Sequence, residues 1–240
     1  MKLFLITGGS RGLGQALCEQ FMSRGYKVLE FSRSAPHQYS MPIDLADPEK
    51  SWLAVVNAIH PIDPGQLREL IVVNNAGTLD PIGPTASKPY SEVMDNLNTN
   101  FVSAVLFLTE VIARFQSAAC RKVIVNISSG AALRGRAGWS LYCAAKAGME
   151  NFIRSVAVEQ QAQTQPFIPV NIDPGVIDTE MQAHIRAAPA SDFPEVEHFI
   201  QRKDQGLLVP PDKVASAIAH ILELPSLSFG ERYKTSDYGG

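Results

Sequence analysis

The chain is short of several things, and each shortage excludes something. Charge of one sign is scarce: 21 Lys and Arg stand against 24 Asp and Glu, a net of −3. With a pI near 6.0, no cationic face for nucleic-acid phosphates is expected. Long apolar runs are missing. None approaches the roughly 20 residues of a bilayer span. The opening Met1–Ile6 is too short for a signal-peptide core and runs straight into glycines, so a cytoplasmic protein is expected. Cysteine is rare. Cys18, Cys120 and Cys143 lie far apart without a CxxC pair. Neither a disulfide framework nor a zinc site follows, and each thiol is expected as a small buried side chain in a reducing compartment. His37, His60, His184, His198 and His220 show no metal-ligand spacing, so no metal is expected. Repeats, low-complexity tracts and linkers are also missing.

What is present is a regular alternation. The 240 residues are 45% hydrophobic and 19% charged, enough for one packed domain over residues 1–240. Strands are expected over Leu3–Thr7, Tyr26–Phe31, Ser40–Leu45, Leu70–Asn74, Lys122–Ser128 and Phe167–Asp173, with a final one over Gly230–Asp237. Helices are expected from the glycine turn to about Arg24, and over Pro48–Ile59, Glu92–Phe115, Ser140–Gln160 and Pro211–Leu222. Asp47 reads as an N-cap with Pro48 at the first helical position. The pattern loosens over about 180–210, which reads as an irregular substrate loop or lid. Strands alternating with helices give parallel pairing through right-handed crossovers. The fold class is a doubly wound parallel sheet in three α/β/α layers.

The first strand runs into Thr7-Gly8-Gly9-Ser10-Arg11-Gly12-Leu13-Gly14. Glycines at a strand-to-helix turn let backbone approach a pyrophosphate, and the helix start presents free N–H groups to it. The spacing departs from GxGxxG. The same residues fit GxSxG, the elbow of serine hydrolases. A hydrolase would use Ser10 with Asp192 and His220, but an elbow normally follows several strands and this one follows a single strand. The end of the second strand selects between NAD and NADP. Here Ser32-Arg33 follows Glu30-Phe31. Arg33 and Arg11 suit a 2′-phosphate, so NADP(H) is expected; otherwise Glu30 turns inward to the ribose and Arg33 is a solvated charge.

Tyr142 and Lys146 stand four residues apart, on one face of a helix. An ammonium beside a phenol is expected to lower its pKa from about 10 and fit it for proton transfer at a carbonyl oxygen. Ser129 lies at a strand end 13 residues earlier, placed to bond the same oxygen. Asn126-Ile127-Ser128 matches a glycosylation sequon but falls in an expected buried strand.

Together these residues resemble the short-chain dehydrogenase/reductase family. The resemblance is carried by the glycine turn, Asp44-Leu45, Asn74-Asn75-Ala76-Gly77, Asn100, Ser129, Tyr142, Lys146 and Pro174-Gly175 through Thr179, in order and at family spacing. It implies a Rossmann-type fold, a homodimer and an NADP(H)-dependent carbonyl reductase. Tyr142 would be the general acid. Lys146 would hold the nicotinamide ribose, Ser129 would orient the carbonyl, and Asn100 would anchor a water relay. Gly8, Ser10, Arg11, Gly12, Leu13 and Gly14 would hold the phosphates. Asp44 and Leu45 would contact adenine, Asn75, Ala76 and Gly77 the adenosine side, and Pro174, Gly175 and Thr179 the nicotinamide. Gly138–Ala147 and Asp178–Gln182 resemble the sepiapterin reductase and benzil reductase branch. That likeness implies a small flat dicarbonyl substrate met by Trp139, Met181, Gln182 and Asp237, although Ser236 stands where animal sepiapterin reductases carry an aromatic residue. A non-catalytic NADP(H) sensor is the rival reading, and the intact Asn100, Ser129, Tyr142 and Lys146 argue against it.

Overall fold

The computed structural model describes residues 1–239. Seven parallel strands form one sheet in the order β3-β2-β1-β4-β5-β6-β7. They are β1 (Lys2–Thr7), β2 (Lys27–Ser32), β3 (Ser40–Pro42), β4 (Glu69–Asn74), β5 (Arg121–Ile127), β6 (Phe167–Asp173) and β7 (Arg232–Lys234). The helices are α1 (Gly12–Ser23), α2 (Pro48–Ile59), α3 (Tyr90–Leu97), α4 (Ser103–Phe115), α5 (Ser140–Gln161), α6 (Glu180–Ala187), α7 (Val196–Asp204) and α8 (Pro211–Leu222).

The unbroken apolar runs of the central strands are explained by cover on both faces. Alternation sends Leu3, Leu5, Leu70, Val72 and Ile124 against α2, α4 and α5. It sends Phe4, Ile6, Ile71, Val73 and Val123 against α1 and α8. Each fully buried side chain of this size contributes about 1.5–3 kcal/mol over exposure. The expected Asp47 cap is present: its carboxylate accepts the Lys50 N–H at 3.2 Å. Cys18 and Cys143 are buried, whereas Cys120 is only half-buried.

Four expectations change. The 180–210 segment is not irregular; it folds into α6 and α7. These helices are short and have narrow buried faces, Gln182 and Ile185 on one, Val196 and Phe199 on the other. Tertiary docking sustains helices of this length where propensity alone does not. The expected Glu92–Phe115 helix begins at Tyr90 and carries a π-helical turn over Asn98–Val102. The final strand stops at Lys234, because Thr235–Tyr238 turns off as a 3₁₀ helix and lays Tyr238 against His220 and Tyr233. The third strand ends at Pro42, its last bond to β2 running from the Ile43 N–H to the Ser32 carbonyl at 3.0 Å, so Asp44 lies beyond it.

Candidate active site

In open parallel sheets ligands bind beyond the carboxyl ends of the strands, where the strand order reverses. Here that edge is formed by β1, β4, β5 and β6. A polar ladder marks it from within the sheet. Thr7 Oγ1 donates to Asn74 Oδ1 at 3.4 Å, Asn74 Nδ2 to Asn126 Oδ1 at 3.0 Å, and Asn126 Nδ2 to Asn171 Oδ1 at 2.9 Å. The four residues are paired in register across neighbouring strands. Asn126 is fully buried, so the sequon is structural.

The turn after β1 is shaped for close backbone approach. Gly8 has φ of 72°, and a Cβ there would come within 2.9 Å of the Ala76 α-carbon. A Cβ on Gly14 would fall 2.0 Å from the Gly8 carbonyl oxygen. Asn75 fastens this turn, donating from Nδ2 to the carbonyls of Thr7 at 3.1 Å and Gly8 at 2.8 Å. The N–H of Ala76 donates to Thr7 Oγ1 at 3.2 Å. Ser10 is half-buried on the turn and Leu13 is buried beneath it. Thr179, at the start of α6, stands against the same turn, its Cγ2 3.3 Å from where a Gly12 Cβ would be. Pro174 is buried and Gly175 exposed between β6 and Thr179. Glycine turn, β6 loop and α6 therefore share one wall.

Glu30 does not reach outward from the second strand. It is fully buried beneath the turn and accepts the Gly9 N–H at 2.9 Å. This leaves Arg33 as the charged residue at the strand end, exposed and without an ion-pair partner among the described residues. Arg11 is exposed too, but its guanidinium pairs with Glu180 on α6, so the two arginines do not converge on one point. Asp44 is exposed and Leu45 buried. Their loop is held by Ser103 Oγ, which donates to the Leu45 carbonyl at 2.7 Å, and by Asn98 Nδ2, which donates to the Ala46 carbonyl at 3.0 Å.

Asn100, Ser129, Tyr142 and Lys146 come together. Asn100 sits in the π-helical turn, a feature that recurs at functional sites. Its Nδ2 donates to the Thr78 carbonyl at 2.8 Å and its Oδ1 accepts the Thr78 N–H at 2.8 Å. A Cβ on Gly77 would meet Asn100 Oδ1 at 3.1 Å and Lys146 Nζ at 3.9 Å, so both side chains flank that bare glycine. Lys146 Nζ donates to the Ile127 carbonyl at 2.7 Å and lies 5.6 Å from the centre of the Tyr142 ring. Ser129 begins a 3₁₀ turn, its Oγ accepting the Ala131 N–H at 3.2 Å. It lies close enough to the Tyr142 phenol to draw its pKa down.

The electrostatics of the pair differ from the expectation. Burial pushes the Tyr142 phenol up to about 12, and the group that pulls it back is Ser129, not Lys146. Lys146 is buried as well. Burial pushes its ammonium down to about 8, and its hydrogen bond goes to backbone rather than to the phenol. At neutral pH the phenol therefore holds its proton and can donate it to a bound oxygen.

Tyr142 also belongs to a buried apolar cluster. Trp139 meets its ring edge-on at 5.9 Å and stacks on Phe193 at 4.5 Å. Phe199 closes the group at 5.5 Å from Trp139. Trp139 is 5% exposed, so it is packed inside this cluster. The Arg136 guanidinium lies 5.6 Å over its ring and pairs with Glu195. Of the two α6 residues expected near substrate, Gln182 is buried with Oε1 unpartnered and Met181 is exposed. Asp237 is exposed on the turn beside α8, bonded only to Ser236 among the described residues, and is not brought to Tyr142. Ser10, Asp192 and His220 are not brought together either. Asp192 lies against Gly83 and Gly138, and His220 against Tyr238. Phe193 and Phe199 were not expected at the site; their spacing to Val196 was the signal available.

Residues 2–190 match the family model described as short chain dehydrogenase. The benzil reductase ((S)-benzoin forming) of Bacillus subtilis is 34% identical over 232 residues, 93% of this chain and 94% of its own length. The sepiapterin reductase of Xenopus tropicalis is 28% identical, covering 98% and 94%. The NADPH-dependent pterin aldehyde reductase of Arabidopsis thaliana is 33% identical over 191 residues, covering 74% and 75%. Among solved structures, that of the KRED1-Pglu enzyme superposes with a TM-score of 0.81 at 24% identity, covering 97% of this chain and 100% of that one. No helix among the described residues is long and apolar enough to cross a membrane. A match over most of the chain, at a site with this geometry, makes the protein an oxidoreductase of the short-chain dehydrogenase family.

Proposed function

We propose that the chain is an NADPH-dependent carbonyl reductase acting on small flat dicarbonyl compounds, with 1,2-diketones such as benzil as its best substrates. The observation that carries this reading is a protonated, buried Tyr142, with Ser129 beside its phenol and a cluster of aromatic rings packed against it. Aromatic side chains beside the reacting phenol favour aryl faces, and the relative with 34% identity is a benzil reductase.

The residues fit a dinucleotide. Gly8 and Gly14 leave backbone that a Cβ would block. The start of α1 offers N–H groups to the diphosphate, and Ser10, Arg11, Gly12 and Leu13 border it. Arg33 takes the 2′-phosphate; with Glu30 held beneath the turn, no carboxylate from β2 opposes it. Asp44, Leu45, Asn75, Ala76 and Gly77 border the adenosine side. Pro174, Gly175 and Thr179 border the nicotinamide. When bound, the reduced nicotinamide supplies a hydride. The protein supplies the rest. Ser129 and Tyr142 orient the carbonyl oxygen, Tyr142 Oη donates a proton to it, and the ring wall of Trp139, Phe193 and Phe199 keeps bulk water away. Lys146 holds the ribose hydroxyls and, with Asn100, leads a proton back to the phenolate.

The α6–α7 segment acts as the lid. It is tied down by ion pairs of Arg136 with Glu195 and Lys203 with Asp178 and by a hydrogen bond between His184 and Asp80. Gln182 is its inward polar group, and Met181 lies on its outer side. The whole chain acts as one domain in a cytoplasmic homodimer. A pterin of the sepiapterin type is the second reading, supported by the names of two relatives; Asp237 would serve it only by swinging over the pocket. One assay tests these choices. Benzil, sepiapterin and simple monoketones are compared with NADPH and with NADH. Highest kcat/KM for benzil with NADPH is expected. Sepiapterin turned over at least about tenfold better overturns the diketone reading, and tight NADPH binding without turnover of any carbonyl identifies a sensor.

A further inference from the structure

Beside Ser129 lies a charge cluster that the reaction as described does not use. Arg232, the first residue of β7, is almost enclosed, its side chain 12% exposed. It pairs with the Glu150 carboxylate of α5, which is 2% exposed. It donates to Asp173 Oδ2 of β6 at 2.7 Å, to Ser128 Oγ at 3.1 Å and to the carbonyl oxygen of Ser129 itself at 3.2 Å. Ser128 Oγ donates in turn to Glu150. One guanidinium thus joins the ends of β5, β6 and β7 to the helix that carries Tyr142 and Lys146.

We infer that Arg232 is a positioning residue for the reaction: it holds the Ser128–Ser129 corner at the distance from α5 that lets Ser129 and Tyr142 share one carbonyl oxygen. Three features argue for this. The contact to Ser129 is made to its backbone, so it sets where the residue sits, while the Ala131 N–H fixes where its hydroxyl points. The planar fork satisfies several acceptors at once, which a lysine ammonium at the same place cannot match. Glu150 is seated on α5 two turns beyond Tyr142, so the same cation references both halves of the pair. A misplacement of about 1 Å at a reacting group costs on the order of 100-fold in rate.

The inference rests on the proposed roles of Ser129 and Tyr142, and the test separates the two. Arg232→Lys is made in the wild-type chain and in Ser129→Ala, and kcat, KM for benzil and the NADPH dissociation constant are measured. In the wild-type background a fall in kcat of at least about tenfold is expected, with NADPH binding changed by less than about twofold. In the Ser129→Ala background the same change should cost less than about twofold, because the group it positions is gone. Equal losses in both backgrounds would make Arg232 a stabilising residue only, and a kcat within about twofold of wild type would remove the role altogether. If Arg232→Lys does not fold, Asp173→Asn keeps the guanidinium on Glu150 and frees one arm; it should show the same background dependence with a smaller fall, and equal falls in the two backgrounds overturn the inference. Wild-type kcat in Ser129→Ala alone overturns the assignment of Ser129, and with it the reason for positioning it.

Discussion

Trp139 and Phe193 stack with ring centroids 4.5 Å apart and planes 2° from parallel. One residue caps the N-terminus of α5, three positions before Tyr142; the other lies between α6 and α7. The stack therefore couples the lid to the helix that carries the reacting phenol.

Phe193→Ala should remove that coupling. Truncating a fully buried phenylalanine costs about 3–5 kcal/mol of stability, to be read from chemical denaturation. KM for benzil should rise more than KM for a small monoketone. Equal changes for both substrates would show that the ring does not border the substrate.

Tyr142→Phe removes the proton donor and keeps the ring that meets Trp139. Loss of a general acid lowers kcat by about 10²–10⁴-fold. NADPH binding, followed by fluorescence, should be nearly intact. Retained turnover would mean that another group supplies the proton.

Arg33→Ala tests cofactor choice. A charge-assisted bond to a phosphate contributes about 1.5–3 kcal/mol, or roughly 10- to 100-fold in KM for NADPH. KM for NADH should hardly move. An equal effect on the two cofactors would refute recognition of the 2′-phosphate by this residue.

Lys146→Met should alter how stability depends on pH. Burial lowers the ammonium from 10.5 to about 8. Between these values the unfolded chain binds a proton that the native protein does not, so this group makes stability rise with pH. Below about 8 both states are charged and the cost of burying the cation is felt in full, on the order of 3 kcal/mol. The Met variant has no such cost. Its advantage over wild type, from urea unfolding without dinucleotide, should be greatest below pH 8 and shrink up to pH 10.5. Parallel curves would show that Lys146 is not buried as a cation.

Much of this protein was legible one residue at a time. The buried strands of Leu3–Thr7 and Leu70–Asn74 announce themselves because a parallel strand covered on both faces is apolar at every position. The glycine turn was legible because Gly8 and Gly14 stand where a Cβ has no room. Tyr142 and Lys146 share a helix face by spacing alone. The segment from 180 to 210 was misread because α6 and α7 are stabilised by what they dock against, and their own periodicity is faint. The acidity of Tyr142 was misread for a related reason: proximity to Lys146 is a local fact, but burial of both groups is a property of the assembled fold.

The amino-acid sequence by itself determined the alternation of strands and helices as far as β6, the bare backbone at the phosphate turn, and the shared helix face of Tyr142 and Lys146. Those features follow from contacts a few residues apart or from packing periods of two and 3.6. Only the tertiary structure decided that Glu30 turns under the glycines, that Phe193 and Phe199 enclose Trp139, and that Arg232 reaches Ser129 from over a hundred residues away. No periodicity encodes such meetings, because they depend on how distant segments are brought together and how far water is shut out.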